Sequence, residues 1–229
     1  MASKKAVAKT PFTTISDLKN TVRDIEYLLI SVVQGVALAA LAASAGEPVT
    51  NLNYFVIPYV LASFLIILTF WTQAVIHTIS FIDWPINMPH NALYFVVAFI
   101  EVMAFAQIAN PFKWFAFLLV FLLSIGLLYK YDLVLIKRQK EKFQMNDATK
   151  ALYAHIVRRQ QFELLVLLPI VVSFVLFSCV LLKLWPEIFI DRKWHLVLIG
   201  MYCVVSVFGL FDVFKSFTTR TKLLTAAAQ

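Results

Sequence analysis

Long apolar runs separated by short polar turns make up most of the chain, and six of them are long enough to cross a bilayer. A crossing helix needs about 20 mostly apolar residues. The runs extend from about Ile25 to Ser44, Tyr54 to Ile82, Ala92 to Ala109, Trp114 to Ile136, Phe162 to Leu184 and Trp194 to Phe217. Their punctuation is of the kind that stops helices: "AGEP" after the first, Asn110-Pro111 after the third and Trp185-Pro186 after the fifth. Pro58 and Pro169 fall inside runs, where a missing N–H kinks a helix or frees a carbonyl. The expected fold is all-α: a polytopic integral membrane protein of six transmembrane helices with both termini cytoplasmic.

The fourth run continues past its apolar part as "YDLVLIKRQKEKFQ" at helical period, and Asn146-Asp147 breaks the pattern and can cap "ATKALYAHIVRRQQFELL". A helical cytoplasmic hairpin over 131–161 is expected between spans four and five. The chain then divides into a cytoplasmic N-terminal segment (1–24), a membrane domain with the hairpin (25–217) and a cytoplasmic tail (218–229).

Composition sharpens the membrane reading. Of 229 residues, 61% are hydrophobic and 14% charged, against about 45–50% and about 25% in soluble domains. Mean hydropathy is +0.82. The first 20 residues have no apolar stretch followed by a small-residue cleavage site, so no signal peptide is expected there. Cys179 and Cys203 lie in apolar runs and read as small packing residues.

Charge gives the orientation, because cytoplasmic loops carry the excess of Lys and Arg. Lys4, Lys5, Lys9, Lys19 and Arg23 precede the first span. Lys130, Lys137, Arg138, Lys140, Lys142, Lys150, Arg158 and Arg159 sit between spans four and five, and Lys215, Arg220 and Lys222 follow the last. Only Lys113, Lys183, Arg192 and Lys193 fall on the other side. The net charge of +7 is thus mostly topogenic, and the basic loop lacks the interleaved aromatics of a nucleic-acid surface. Lys137, Arg138, Lys140 and Lys142 suit contact with anionic lipid head groups or with a docked protein partner.

The third span carries a carboxylate, Glu101, that costs at least a few kcal/mol in lipid. At 1.5 Å per residue, Glu101 lies about 15 Å from the inner surface, and Gln34 and Gln73 fall at a similar depth. Ser173 and Ser206 fall near the midplanes of spans five and six. Glu101 is therefore expected to face the interior and to bond Gln34 and Gln73, with His77 one turn below Gln73 as a proton partner. The layer either clasps helices together or forms part of an ion path. Asp212 is expected to snorkel to the interface, and Glu163 to pair with Arg159 at i−4. Trp114, Trp185, Trp194 and Trp84 are placed for interfacial belts, with Trp71 deeper beside Gln73.

No HExxH, GxSxG, P-loop or glycine-rich nucleotide turn occurs, and His77, His90, His155 and His195 lack ligand spacing. No enzyme activity, cofactor or metal is expected.

"YVLASFLIILTFWTQAVIHTISFI", followed by a polar turn and "ALYFVVAFIEVMAFAQIANPF", resembles the second and third helices of the TMEM175-like family of six-helix potassium channels. The likeness rests on Ser63, Phe64, Leu65, Phe70, Trp71, His77, Pro111 and Phe112, and on "EYLLISVVQGVALAALA" as a first helix; it covers roughly residues 20–112. Aligned on Gly35-Val36, the family's Phe-Ser-Asp signature is replaced by Val32, Val33 and Gln34, and its Arg by Leu28. The resemblance implies a homo-oligomer in which span one lines a path for potassium, and the midplane carboxylate adds protons as a candidate cargo. The expected function is a channel or transport protein of the bacterial inner (plasma) membrane. The alternative is a non-catalytic scaffold or accessory subunit docked through the basic hairpin.

Overall fold

A computed structural model describes residues 15–80, 87–138, 140–143 and 147–227. Among them there are seven α-helices and no strand: α1 (Ile15–Thr50), α2 (Ile57–Ser80), α3 (Met88–Phe105), α4 (Pro111–Arg138), α5 (Asp147–Phe162), α6 (Leu168–Leu184) and α7 (His195–Ala227). A π-helical turn, Glu163–Leu167, joins α5 to α6, so Asp147–Leu184 runs as one long rod. With that rod counted once, six helical segments are long and apolar enough to cross a membrane.

Helix ends follow local chemistry. Asn87 accepts the His90 N–H at 3.1 Å and starts α3 four residues earlier than the apolar run predicts, with Pro89 in the first turn. Asn110 caps α4 through the Lys113 N–H at 3.0 Å. Two expectations about proline and one about "AGEP" change. α1 runs through Pro48 to Thr50, because a single proline near a helix end removes one bond while Asn51 N–H still reaches Glu47 O at 3.0 Å. The stop comes at Leu52, whose φ of 54° is left-handed. Pro58 lies in the first turn of α2, where its missing N–H would be unpaired anyway, so it need not kink the helix. Pro169 opens α6 directly after the π turn, which widens the backbone where a proline ring would otherwise meet a carbonyl.

α1 packs on α2 and α3, α3 on α4, α4 on α6, and α2 on α7. Gly126 lets α4 approach α6 closely; a Cβ there would stand 2.9 Å from Leu168 Cδ2. The main core runs through Ala37, Tyr59, Ala62, Phe70, Val97, Phe105, Trp114, Leu118 and Ile199. A second, small core gathers Ile136, Leu152 and Ile156 against Leu223 and Leu224. The hairpin segment is thereby packed onto α7, which continues helically through the segment read as a tail. The Asn146 break point lies outside the described residues.

The outward faces are apolar. Leu28, Phe99, Leu165, Phe208 and Phe211 are each about two-thirds exposed or more, far beyond the isolated patches a soluble monomer shows. Six such helices suggest a multi-pass membrane protein.

Candidate functional site

The buried polar groups lie on the same stripes as the core. On α3 the inward face reads Tyr94, Val97, Ala98, Glu101, Ala104 and Phe105, a helical spacing that carries Glu101 into the bundle with the apolar residues. On α1 it reads Ile30, Val33, Gln34, Ala37 and Leu41. On α4 it reads Leu118, Phe121, Ile125, Leu128, Asp132 and Ile136. Three linked polar groups result.

The first is the Glu101 site. Glu101 is 1% exposed and accepts one hydrogen bond, from Gln34 Nε2 at 3.3 Å. Its Oε1 has no partner, and neither has Gln34 Oε1. Gln34 also reaches the Tyr94 hydroxyl at 3.4 Å. The second group is built on Asp132, which is buried and has an imidazole at each oxygen: His77 Nδ1 hydrogen-bonds Oδ2 at 3.2 Å, and His90 Nε2 stands 2.9 Å from Oδ1, close but out of line for a hydrogen bond. The third centres on Glu163, whose Oε1 accepts from Arg159 Nε at 2.6 Å and from Gln73 Nε2 at 3.0 Å. The Arg159 guanidinium continues to Asp212.

A cavity of about 50 Å³ borders the Asp132 group at His77, His90 and Asp132 and touches the other two groups only at Tyr94 and Gln73. Its size allows a few water molecules, since each needs roughly 10–15 Å³ by this measure. Phe70 closes the apolar side, stacked on Tyr94 at 5.1 Å and edge-on to Phe121 at 5.7 Å. Glu101 joins this system through Gln34 and Tyr94. The arrangement can hold protons on Glu101 and the imidazoles and can keep water between them.

The expected layer is therefore only partly assembled. Gln34 meets Glu101 as expected. Gln73 bonds Glu163 instead, because equal depth does not fix the direction a side chain takes around its helix. His77 is one turn from Gln73 but its partner is Asp132. Ser173 is exposed on α6, and Ser206 is half-buried beside a separate cleft between α6 and α7. Glu163 pairs with Arg159 as expected. Asp212, expected to snorkel, is half-exposed and also meets that same arginine.

Trp114 departs from the interfacial expectation. It is fully buried, its Nε1–H donates to Ser63 Oγ at 3.1 Å, and Tyr59 meets it edge-on at 5.2 Å. Trp185 and Trp194 are about half exposed, and Trp71 faces outward at 41%; Trp84 lies outside the described residues. Lys137, Arg138 and Lys140 are exposed, and the side chain of Lys142 lies outside the described set.

The pair Asp132 and His90 escaped the sequence reading, yet a signal for both was present. Asp132 is in phase with Leu118, Ile125 and Ile136, and His90 is in phase with Tyr94 and Glu101. Among the described residues no group of three or more His, Cys, Asp or Glu has the arrangement of a metal site.

The chain matches no family model, no curated protein and no solved structure.

Proposed function

We propose that the protein is a six-span membrane protein that carries protons through its own helix bundle, with Glu101 as the central acceptor. In this reading all six long helical segments cross the bilayer and the basic ends lie in the cytoplasm, in keeping with the strong Lys/Arg bias. Exposed Lys137, Arg138 and Lys140 then meet anionic head groups. The observation that carries the reading is the state of Glu101. Glu163 and Asp132 each have a cation or imidazole beside them, whereas the buried Glu101 carboxyl has one amide donor, no ion-pair partner among the described residues and a hydrogen-bonded link through Gln34 and Tyr94 to the cavity. Protons are favoured over potassium because the cavity is narrow and mostly apolar, and its polar points include imidazoles and a carboxylate rather than a ring of oxygens.

The path runs inside one chain. Gln34 points into the bundle, and the outward side of α1 carries Leu28, Val32 and Val36. That side suits self-association, with Gly35 giving neighbouring helices room to approach.

The test is proton uptake by proteoliposomes under an imposed pH gradient. Wild-type protein is expected to carry protons, and Glu101→Gln, which keeps shape and hydrogen bonding, is expected to lose at least tenfold in rate. A wild type that carries none, or a variant that carries as many, overturns the proposal and favours an accessory subunit held by partners.

A further inference from the structure

Asp132 stands out from the other buried acids because it serves two imidazoles from two different helices. His77 comes from α2, His90 from the first turn of α3 and Asp132 from α4, so one carboxylate ties three helices. Asp132 is 2% exposed at its side chain, His77 13% and His90 23%, a gradient that opens toward the end where α3 begins.

The surroundings of His90 serve either protonation state. Its Nε2 faces Asp132, and its Nδ1 lies 3.3 Å from Asn91 Oδ1. A neutral ring that donates from Nε2 has a lone pair at Nδ1, which needs an N–H donor; an imidazolium has an N–H there, which needs an oxygen. Asn91 offers either by a half-turn of its amide. Tyr131 stacks on the same ring at 6.4 Å and fixes its plane.

We infer that Asp132, His77 and His90 form a proton-binding site that takes up two protons in succession and passes them to the Tyr94 side of the cavity. With both rings neutral the cluster carries one negative charge; the first proton cancels it, and the second makes it positive. The charged and titratable groups around it come from every neighbouring element. Glu26 of α1 acts on His90. Tyr129 of α4 lies 5.9 Å from the His77 ring and feels Glu163, Arg159 and Arg220 from the α5–α6 turn, α5 and α7. Glu26 and the two imidazoles are the groups of this set whose charge can change near neutral pH, while Arg159 and Arg220 keep theirs. The onward transfer rests on the proposed transport function; the binding of protons stands on the geometry alone.

The test uses the full chain in lipid nanodiscs with isotope-labelled histidine, and follows the ring nitrogens of His77 and His90 by NMR over about pH 4–9. Because the rings share one carboxylate, they are expected to titrate in two steps at least about one pH unit apart. Asp132→Asn removes the charge both rings share and is expected to move both steps to lower pH. If that variant does not fold, His90→Gln, at the most exposed member, is expected to shift the remaining His77 titration by at least about one unit. Rings that titrate together in the wild type, or a remaining His77 that does not move, overturn the site. Two-step titration in a protein without proton flux keeps the site and removes the transport reading. Uncoupled titration with flux intact removes the site and keeps that reading.

Discussion

The two ends of the helix bundle solve the problem of buried polarity differently. At the basic end, where α4 ends and α5 begins, acids are buried beside imidazoles and a guanidinium: Asp132 with two histidines, and Glu163 with Arg159, which also reaches half-exposed Asp212. At the opposite end the buried polar groups are neutral and paired singly. Trp114 donates to Ser63, and Tyr59 meets His195 Nδ1 at 3.0 Å, inside an aromatic cluster that includes Phe115 and Tyr202. One end stores charge that can change; the other provides a fixed aromatic wedge. Glu101 lies between them, connected by hydrogen bonds toward the basic end.

The contrast predicts unequal penalties. Arg159→Met has the largest expected effect. It takes from buried Glu163 its ion-pair partner, leaving Gln73 and the charge of Arg220, which costs about 3 kcal/mol or somewhat more. Reversible unfolding in mixed micelles measures it. Trp114→Ala comes next. In lipid the transfer gain of a buried ring is small, so the cost comes from the cavity left behind, about 3 kcal/mol. A greater loss from Trp114 than from Arg159 would reverse the ranking of the two ends. Ser63→Ala has the smallest effect, about 0.6 kcal/mol, the usual size of one hydrogen bond between helices in a membrane.

Much of this contrast was hidden in the sequence for one reason. Apolar length and turn chemistry gave the six spans, and depth along a helix brought Gln34 to Glu101. Direction around the helix axis was harder. Trp114 opens α4 and reads as an interfacial residue, yet its ring points into the core. Gln73 has the depth of Glu101 and turns to Glu163. Asp132 sits in a stretch that reads as leaving the membrane, "YDLVLIKRQ", and only its phase with Leu118, Ile125 and Ile136 marks it as inward. His90 and His77 are 13 positions apart, on either side of a polar turn, and nothing in their spacing indicates a shared partner. The α5–α7 contact is likewise not legible, because the segment after span six reads as a tail, while Leu223 and Leu224 continue the helix to a second core.

The most direct measurement sets one variant from each region side by side: the initial rate of proton uptake into proteoliposomes for wild type, Glu101→Gln and Ser63→Ala at equal reconstitution. Glu101→Gln is expected to fall at least tenfold while Ser63→Ala stays within about twofold of wild type, because only the first lies on the polar chain. Equal rates in all three would contradict this and would make Glu101 a structural group with no part in moving protons.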